Sequence, residues 1–179
     1  MLELDDTVLL IIDVQGKLAT LMHERETLFK NLSRLIEGAQ VLGVPILLTE
    51  QYPKGLGETA PELKALMPDV KPIEKLSFSC FGEEKFVEAF ESLGREQVLV
   101  AGIEAHICVY QTVADLLEEG FDVHCVADAI SSRAKENREI GLARMKDEGA
   151  TITSTEMCLF ELMRVASGPT FKTISALVK

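Results

Sequence analysis

Residues 98–111 have the sequence Val98-Leu-Val-Ala-Gly-Ile-Glu-Ala-His-Ile-Cys108-Val-Tyr-Gln111, which predicts a buried strand, a glycine, a tight turn and a helix. A strand that is apolar on both faces belongs inside a parallel sheet covered by helices. The helix begins near Cys108, where unpaired N–H groups and the positive end of the helix dipole favour the thiolate, the reactive form of cysteine. The stretch therefore predicts a parallel sheet with a candidate nucleophile beside it.

The segments on either side repeat this alternation of strand and helix. Strands are predicted from the apolar runs at 7–14, 45–50, 73–76, 97–101, 121–127 and 150–154. Helices are predicted at 24–42, 83–93, 107–119, from Ser131 or Ser132 to about 148, and 155–166. Helical crossovers between successive strands make the strands parallel. The sequence thus predicts an α/β fold, Rossmann-like and three-layered (α/β/α), with a six-stranded parallel sheet in one domain spanning residues 1–179.

Composition and charge exclude several classes of protein. The chain has 179 residues, 47% of them hydrophobic, which suits one domain with a well-filled core. Its formal net charge of −11 disfavours nucleic acid and anionic membranes as partners, because their phosphates would be repelled. No apolar run is long enough to span a membrane, and acidic residues precede the first apolar run, where a secretory signal would be basic. Four scattered cysteines without paired spacing favour reduced thiols, and we expect a cytoplasmic protein.

Three reactive side chains are predicted at one rim of the sheet. Asp13 ends the first strand, Lys75 ends the third, and Cys108 follows the fourth. Ligands of open parallel sheets bind outside the carboxyl ends of the strands. A carboxylate after an aliphatic run is partly desolvated, which suits proton transfer. Alone, each residue has an ordinary alternative role as a turn cap, a solvated lysine or a core thiol; their convergence favours a catalytic site.

Other site chemistries receive less support from the sequence. His106 is a second candidate base for Cys108, but a position two residues earlier on the turn is unfavourable for contact, and its role stays open. A dinucleotide fold needs Gly-x-Gly-x-x-Gly after the first strand, whereas this chain has Asp13-Val-Gln-Gly-Lys-Leu18. The three histidines are far apart in sequence, which disfavours a metal site. We therefore predict neither a cofactor nor a metal.

The same residues resemble those of the isochorismatase-like cysteine hydrolases, a family that includes nicotinamidases and N-carbamoylsarcosine amidase. The resemblance covers nearly the whole chain and rests on Leu10-Ile-Ile-Asp-Val-Gln15, on Lys75 followed by Ser77-Phe-Ser79, and on Gly102-Ile-Glu-Ala-His-Ile-Cys-Val109. Further likeness lies in Thr49-Glu-Gln-Tyr-Pro-Lys-Gly-Leu-Gly57 and Val126-Ala-Asp-Ala-Ile-Ser-Ser-Arg133. These segments are most similar to the poorly characterised isochorismatase-domain-containing subgroup.

This resemblance implies a catalytic triad of Asp13, Lys75 and Cys108. Asp13 would take the thiol proton and return it to the leaving group. Lys75 would keep Asp13 ionised and help position substrate, and Cys108 would attack a carbonyl or related carbon to form a thioester-type intermediate. The family also implies a cis peptide between Ile103 and Glu104, with the backbone N–H groups of Glu104 and Cys108 forming an oxyanion hole.

The substrate pocket is predicted from the resemblance and from a long glycine- and proline-rich loop at 51–71, since long loops in compact domains are usually functional. The expected pocket residues besides the triad are Gln15, Gln51, Tyr52, Phe78, Phe81, Ile103 and Tyr110.

One departure from the family narrows the predicted activity. Nicotinamidases carry an Asp-x-His metal site after the second strand, whereas this chain has Thr49-Glu-Gln-Tyr52 there, so a metal-dependent nicotinamidase is disfavoured. The retained Cys108 favours cleavage of an amide-type C–N bond in a small molecule over the vinyl-ether cleavage of isochorismatases. A non-catalytic thiol module for binding or redox sensing is the alternative from another class.

Assembly into a homo-oligomer is also expected. The family usually assembles, and the helix predicted at 155–165 is apolar on most sides. The same pattern fits a helix that is fully buried within one chain.

Overall fold

A parallel sheet lies at the centre of the protein in a computed structural model that describes residues 1–179. Its strands, in chain order, are β1 (Thr7–Ile12), β2 (Ile46–Gln51), β3 (Ile73–Lys75), β4 (Gln97–Ile103), β5 (Asp122–Ser131) and β6 (Thr151–Thr153). The six strands are arranged in the order β3-β2-β1-β4-β5-β6, and every neighbouring pair is parallel. This arrangement confirms the predicted fold class.

Nine α-helices surround the sheet. They are α1 (Gly16–Thr20), α2 (Arg25–Leu42), α3 (Pro53–Leu56), α4 (Pro61–Lys64), α5 (Glu84–Glu91), α6 (Tyr110–Glu118), α7 (Lys135–Asp147), α8 (Thr155–Met163) and α9 (Gly168–Leu177). A short 3₁₀ turn spans Cys80–Gly82, and a π-helical turn spans Ala105–Val109. None of these helices combines the length and apolarity needed to cross a lipid bilayer.

Alternate residues of β1 contribute to two separate hydrophobic cores. Leu9 and Ile11 belong to the core that contains residues of α2, α8 and α9. Val8, Leu10 and Ile12 belong to the core that contains residues of α5, α6 and α7. Since side chains alternate between the faces of a strand, a strand covered on both sides must be apolar throughout. This explains why β1 has no polar alternation in its sequence.

The observed elements differ from the predicted ones in several places, three of them at β5, α7 and α9. β5 continues to Ser131, beyond the predicted end at 127, and α7 begins at Lys135 instead of Ser131 or Ser132. Ser131 stays in the strand because its hydroxyl donates to the carbonyl of His23, which satisfies a polar group in a buried position. The helix α9 was not predicted, because its sequence begins with glycine and proline and only Ile174 is buried.

The apolar helix α8 is mostly covered within the chain. Cys158, Leu159 and Leu162 are buried in the core shared with α2 and α9. Close packing on α2 needs Gly38, because a Cβ at that position would lie 2.5 Å from Leu159 Cδ2. The apolarity of this helix is therefore explained largely by intrachain packing, which was one of the two expected explanations.

Candidate active site

The centre of the sheet provides the crevice in which the predicted residues meet. β1 and β4 are neighbours in the sheet. After β1 the chain continues toward one edge of the sheet and after β4 toward the other. Ligands of such sheets bind at the point between the two strands where this direction reverses. Gly102 in β4 pairs with Ile12 in β1 and has φ of 127°. A Cβ on Gly102 would lie 2.2 Å from the Ile12 carbonyl oxygen, so this close approach needs glycine.

Asp13 and Lys75 form a buried ion pair at this crevice. Lys75 Nζ lies 2.6 Å from Asp13 Oδ2, and the Thr49 hydroxyl donates to Oδ1 at 2.7 Å. Asp13 has φ of 53°, a left-handed conformation that aspartate tolerates better than most residues. Both side chains are almost completely removed from solvent. Thr49 was not predicted as part of the site. The feature of the sequence that could have indicated it is its position near the end of β2, the strand beside β1.

The ammonium of Lys75 uses all of its protons on the protein. Besides Asp13, it donates to Gln51 Oε1 at 2.9 Å, the Ser77 carbonyl at 3.1 Å and the Phe78 carbonyl at 2.9 Å. An ammonium has three N–H donors, so these four acceptors saturate it. Lys75 therefore holds the loop after β3 in place and has no donor left for a ligand.

The same loop is fastened to the helix that follows Cys108. The Ser79 hydroxyl donates to Asp115, and the backbone N–H of Cys80 donates to the Thr112 hydroxyl at 3.1 Å. Thr112 in turn donates to the carbonyl of Cys108 at 2.7 Å. These bonds place the Lys75 loop and Cys108 in fixed relation to each other.

Cys108 lies in the π-helical turn that follows the cis peptide between Ile103 and Glu104. The N–H of Val109 bonds to the carbonyl of Glu104 at 3.3 Å, which is the π-helical spacing. Helix α7 approaches this turn closely, since a Cβ on Gly141 would lie 2.7 Å from the Ala105 carbonyl. The backbone N–H of Glu104 makes no hydrogen bond to the protein, which leaves a donor at the corner before Cys108.

Burial opposes ionisation of the Cys108 thiol. It raises the pKa of the thiol from 9.0 to about 12, and the nearby charge of the Asp13 carboxylate raises it further than Lys75 lowers it. Helix termini favour a thiolate only where desolvation does not dominate. The thiol is therefore protonated at neutral pH, and it needs a base such as the expected Asp13 to take its proton.

A cavity of about 100 Å³ opens beside the thiol. Six of its nine lining residues are apolar. The lining residues are Asp13, Leu18, Gln51, Leu56, Phe78, Ile103, Glu104, Ile107 and Cys108. Cys108 is 8% exposed, whereas the other three cysteines have no exposed surface. Cys108 is thus the thiol that a small molecule can reach.

The structure brings Gln51, Phe78 and Ile103 to this cavity among the expected pocket residues. Gln51 is placed centrally, because its Oε1 accepts from Lys75 and lies 4.0 Å from Cys108 Sγ. Leu56 belongs to the long loop that was predicted to form the pocket, although it was not named individually. Leu18 and Ile107 were missed, because their apolar side chains gave no signal distinct from core packing.

Four expected pocket residues lie elsewhere. Gln15 is buried and uses its amide on the backbone of Gln51 and Gly57, so it joins β2 to the loop instead of facing the cavity. Phe81 packs edge-on against other phenylalanines of the core. Tyr52 is half exposed on an outer surface, and Tyr110 bonds to Glu148 on α6's solvent side. Gln15 and Tyr110 are directed away from the thiol by partners that are distant in sequence, and Phe81 by aromatic partners on α5.

His106 is not among the residues that line the cavity, and it contacts Ser132. Its Nδ1 lies 3.0 Å from the Ser132 hydroxyl, and the structure records no contact between the ring and Cys108. No group of three or more histidine, cysteine, aspartate or glutamate side chains is arranged to hold a metal ion.

The chain is similar to known proteins over most of its length. The family model described as "Isochorismatase domain" matches residues 7–157, which include all strands and the three rim residues. The chain belongs to the isochorismatase family. A zebrafish relative, isochorismatase domain-containing protein 2 of Danio rerio, is 41% identical over 173 residues, which cover 96% of this chain and 86% of the relative. The predicted family is therefore confirmed.

Solved structures of the isochorismatase family superpose over nearly the full chain. The MAR1 ribonuclease of Caenorhabditis elegans has a TM-score of 0.92 and 34% identity, covering 99% of this chain and 91% of that one. YcaC of Pseudomonas aeruginosa, solved with hexane-2,5-diol and covalent acrylamide, has a TM-score of 0.92 and 28% identity, with coverage of 98% and 90%. YcaC of Escherichia coli, described as an octameric hydrolase of unknown specificity, has the same TM-score of 0.92 and 28% identity, with coverage of 98% and 89%.

Proposed function

We propose that this isochorismatase-family chain is a single-domain cysteine hydrolase that cleaves an amide-type C–N bond of a small molecule through a covalent intermediate on Cys108. The observation that carries the proposal is the buried Asp13–Lys75 ion pair beside the one thiol that reaches a cavity. Burying a carboxylate and an ammonium is costly, and such arrangements concentrate at functional sites.

The proposed reaction begins with proton transfer. Because the thiol is protonated at neutral pH, the attack of Sγ on the substrate carbonyl needs a base, and Asp13 is a carboxylate that lines the same cavity and acts on the pKa of the thiol. Lys75 stabilises the charged form of Asp13 until it takes the proton. The backbone N–H groups of Glu104 and Cys108 stabilise the oxyanion, and Asp13 then protonates the leaving nitrogen. Water hydrolyses the resulting thioester and regenerates the thiol.

Two observations support a hydrolase over the alternatives. A structural relative carries covalently bound acrylamide, a small molecule with an amide group, which supports a reactive centre of suitable size. A redox-sensing thiol has no use for a buried base and its counter-ion. RNA, which the name of the Caenorhabditis elegans relative suggests, fits poorly with a net charge of −11.

We expect Cys108→Ala to abolish hydrolysis in a screen of small amides and ureides against the wild-type protein. Loss of a catalytic nucleophile lowers turnover by about 10³-fold or more. Cys125→Ala is the matched control, because Cys125 is buried in β5 and has no contact with the cavity. Ammonia or amine release measures the rate.

Hydrolysis that survives in Cys108→Ala contradicts the assignment of the nucleophile. The Asp13→Asn variant separates a hydrolase from a sensor, since it should slow alkylation of Cys108 if Asp13 takes the thiol proton. The Asp13 charge raises the pKa of the thiol, so in a sensor without a base the same variant should alkylate as fast as the wild-type protein or faster.

We also propose that the protein assembles as a homo-oligomer through the apolar surface around the cavity. Leu76 is 76% exposed and Tyr52 is 51% exposed, and both border the same outer pocket. Leu56 and Phe78, which line the cavity, are exposed large apolar residues as well. Together with the octameric relative, these side chains favour a second copy as the cover.

Light scattering after size exclusion is expected to give a multiple of 19.7 kDa for the wild-type protein. Leu76→Ser should lower the mass, whereas Ile140→Ser, at an exposed apolar residue of α7, should not. A wild-type monomer at micromolar concentration would contradict the assembly.

A further inference from the structure

The proposed chemistry leaves one carboxylate of the cavity without a role. Glu104 is 5% exposed and lines the cavity beside Cys108. Its Oε1 accepts two hydrogen bonds from Arg133, one from the backbone N–H at 3.0 Å and one from Nε at 3.0 Å. Its Oε2 makes no hydrogen bond to the protein, and it is not among the side-chain atoms sealed from solvent. One oxygen thus anchors the side chain and the other is free.

The remaining polar side chains at the cavity offer no free cation. Both oxygens of Asp13 are engaged by Thr49 and Lys75, and the ammonium of Lys75 is saturated. The amide nitrogen of Gln51 donates one N–H to the Leu76 carbonyl at 2.7 Å, and its carbonyl oxygen lies 4.0 Å from the thiol. No lysine, arginine or histidine lines the cavity. The free carboxylate oxygen of Glu104 is therefore the charged atom that remains available to a ligand.

Glu104 and the thiol line the same small cavity. Both are among the nine residues around a volume of about 100 Å³, and the other carboxylate there, Asp13, is already bonded to Lys75 and Thr49. The part of a ligand that reaches Cys108 therefore lies close to Glu104. The guanidinium of Arg133 is 56% exposed, and water screens its charge.

We infer that Glu104 selects the charge of the substrate. Its free oxygen accepts an N–H from a small neutral or cationic molecule, such as a primary amide, a urea or an amine-bearing amide, and repels carboxylates. Arg133 holds Glu104 against the cavity wall in the position where it acts. This inference rests on the proposed function and deepens it by naming the substrate class.

Alkylation of Cys108 with iodoacetamide and iodoacetate tests the inference without any turnover. The two reagents react by the same displacement and have nearly the same size, but iodoacetate carries a negative charge at neutral pH. Intact-mass spectrometry measures both rates on each variant, and a Cys108→Ala sample identifies the modified residue. We expect the wild-type protein to discriminate against iodoacetate by at least about tenfold more than a free thiol does, because like charges in close contact cost several kcal/mol.

Glu104→Gln is expected to remove most of this discrimination, since the amide oxygen can still accept from Arg133 while the charge is lost. Glu119→Gln, at an exposed position after α6, changes the net charge equally and should leave the ratio of rates unchanged. The Arg133→Gln variant distinguishes an effect of the Glu104 charge from an effect of a disrupted cavity. It removes the cation but keeps the carboxylate, so it should increase discrimination against iodoacetate, whereas a loosened cavity would decrease it.

An unchanged ratio in Glu104→Gln, or a decreased discrimination in Arg133→Gln, would overturn the inference. The outcome is independent of the proposed hydrolysis. Charge selection without any amide turnover would support the role of Glu104 and count against the hydrolase. Amide turnover with unchanged alkylation ratios would support the hydrolase and count against the role of Glu104.

Discussion

Lys75→Met is expected to lower the free energy of unfolding by about 3–5 kcal/mol and to abolish activity, because it leaves the Asp13 carboxylate buried without its counter-ion. The pair is separated by 2.6 Å, and neither side chain has appreciable exposed surface. Methionine is unbranched like lysine and only one atom shorter, so the loss reports mainly the missing ammonium and its hydrogen bonds and only to a small extent a cavity. Urea titration followed by circular dichroism measures the change, and equal m-values confirm that the unfolded states are comparable.

A surface pair of the same length provides the control for Lys75. Lys64 Nζ also lies 2.6 Å from a carboxylate, that of Glu58, but both of these side chains are exposed. Water screens such a pair, and Lys64→Met should leave stability unchanged within error. Equal losses of stability in Lys75→Met and Lys64→Met would contradict the prediction that burial of Asp13 makes the loss of its counter-ion costly.

The double variant Asp13→Asn with Lys75→Met separates stability from catalysis. It removes both charges, and replacing a whole buried ion pair by neutral groups is often neutral for stability. Asparagine accepts the left-handed backbone of position 13, where φ is 53°, as readily as aspartate does. We expect the double variant to recover most of the lost stability and to remain inactive. Recovery of activity along with stability would contradict the role of the pair in proton transfer.

The second large effect is a loss of stability at alkaline pH. Burial raises the pKa of all four thiols, those of Cys80, Cys108, Cys125 and Cys158, from 9.0 to about 12. Between these values the unfolded chain releases thiol protons that the folded chain retains. Stability therefore does not depend on these thiols below pH 9 and falls as the pH rises from 9 toward 12, by about 1.4 kcal/mol per pH unit for each thiol.

Cys125→Ala isolates this contribution from other groups that titrate in the same range. The pKa of Cys125 is raised by burial alone, without a charged neighbour. The variant should start with lower stability because of the cavity it creates, but its stability should decline less steeply above pH 9, by about 1.4 kcal/mol per pH unit. Guanidinium titrations at half-unit intervals from pH 8 to 11 measure both slopes. Parallel curves for the two proteins would contradict the prediction.

Much of the fold was predictable because its signals are local. The apolar run of β1 continues without polar alternation, which occurs only in strands covered on both faces. The order of strands and helices then restricts the sheet to parallel connections, and it places Asp13, Lys75 and Cys108 at one rim. The helix α9 was not predicted, because it is short, begins with glycine and proline and has only one fully buried residue, Ile174.

The details of the site were less predictable because they depend on contacts between distant segments. Gln15, Phe81 and Tyr110 follow or precede site residues in sequence, yet each is turned away by partners elsewhere in the chain. Leu18 and Ile107 line the cavity although nothing in their local sequence separates them from core residues. A side chain's direction is set by its tertiary neighbours as well as by its position on a strand or helix.

The sequence by itself determined the class of fold, the family and the three residues at the rim, since strand periodicity and short motifs are properties of adjacent residues. The tertiary structure alone decided that the Cys108 thiol is protonated, that Lys75 has no free donor and that Glu104 has a free oxygen. Protonation and hydrogen-bond saturation depend on burial and on every charge and acceptor nearby. Those neighbours come from four different strands and loops, and only folding brings them together.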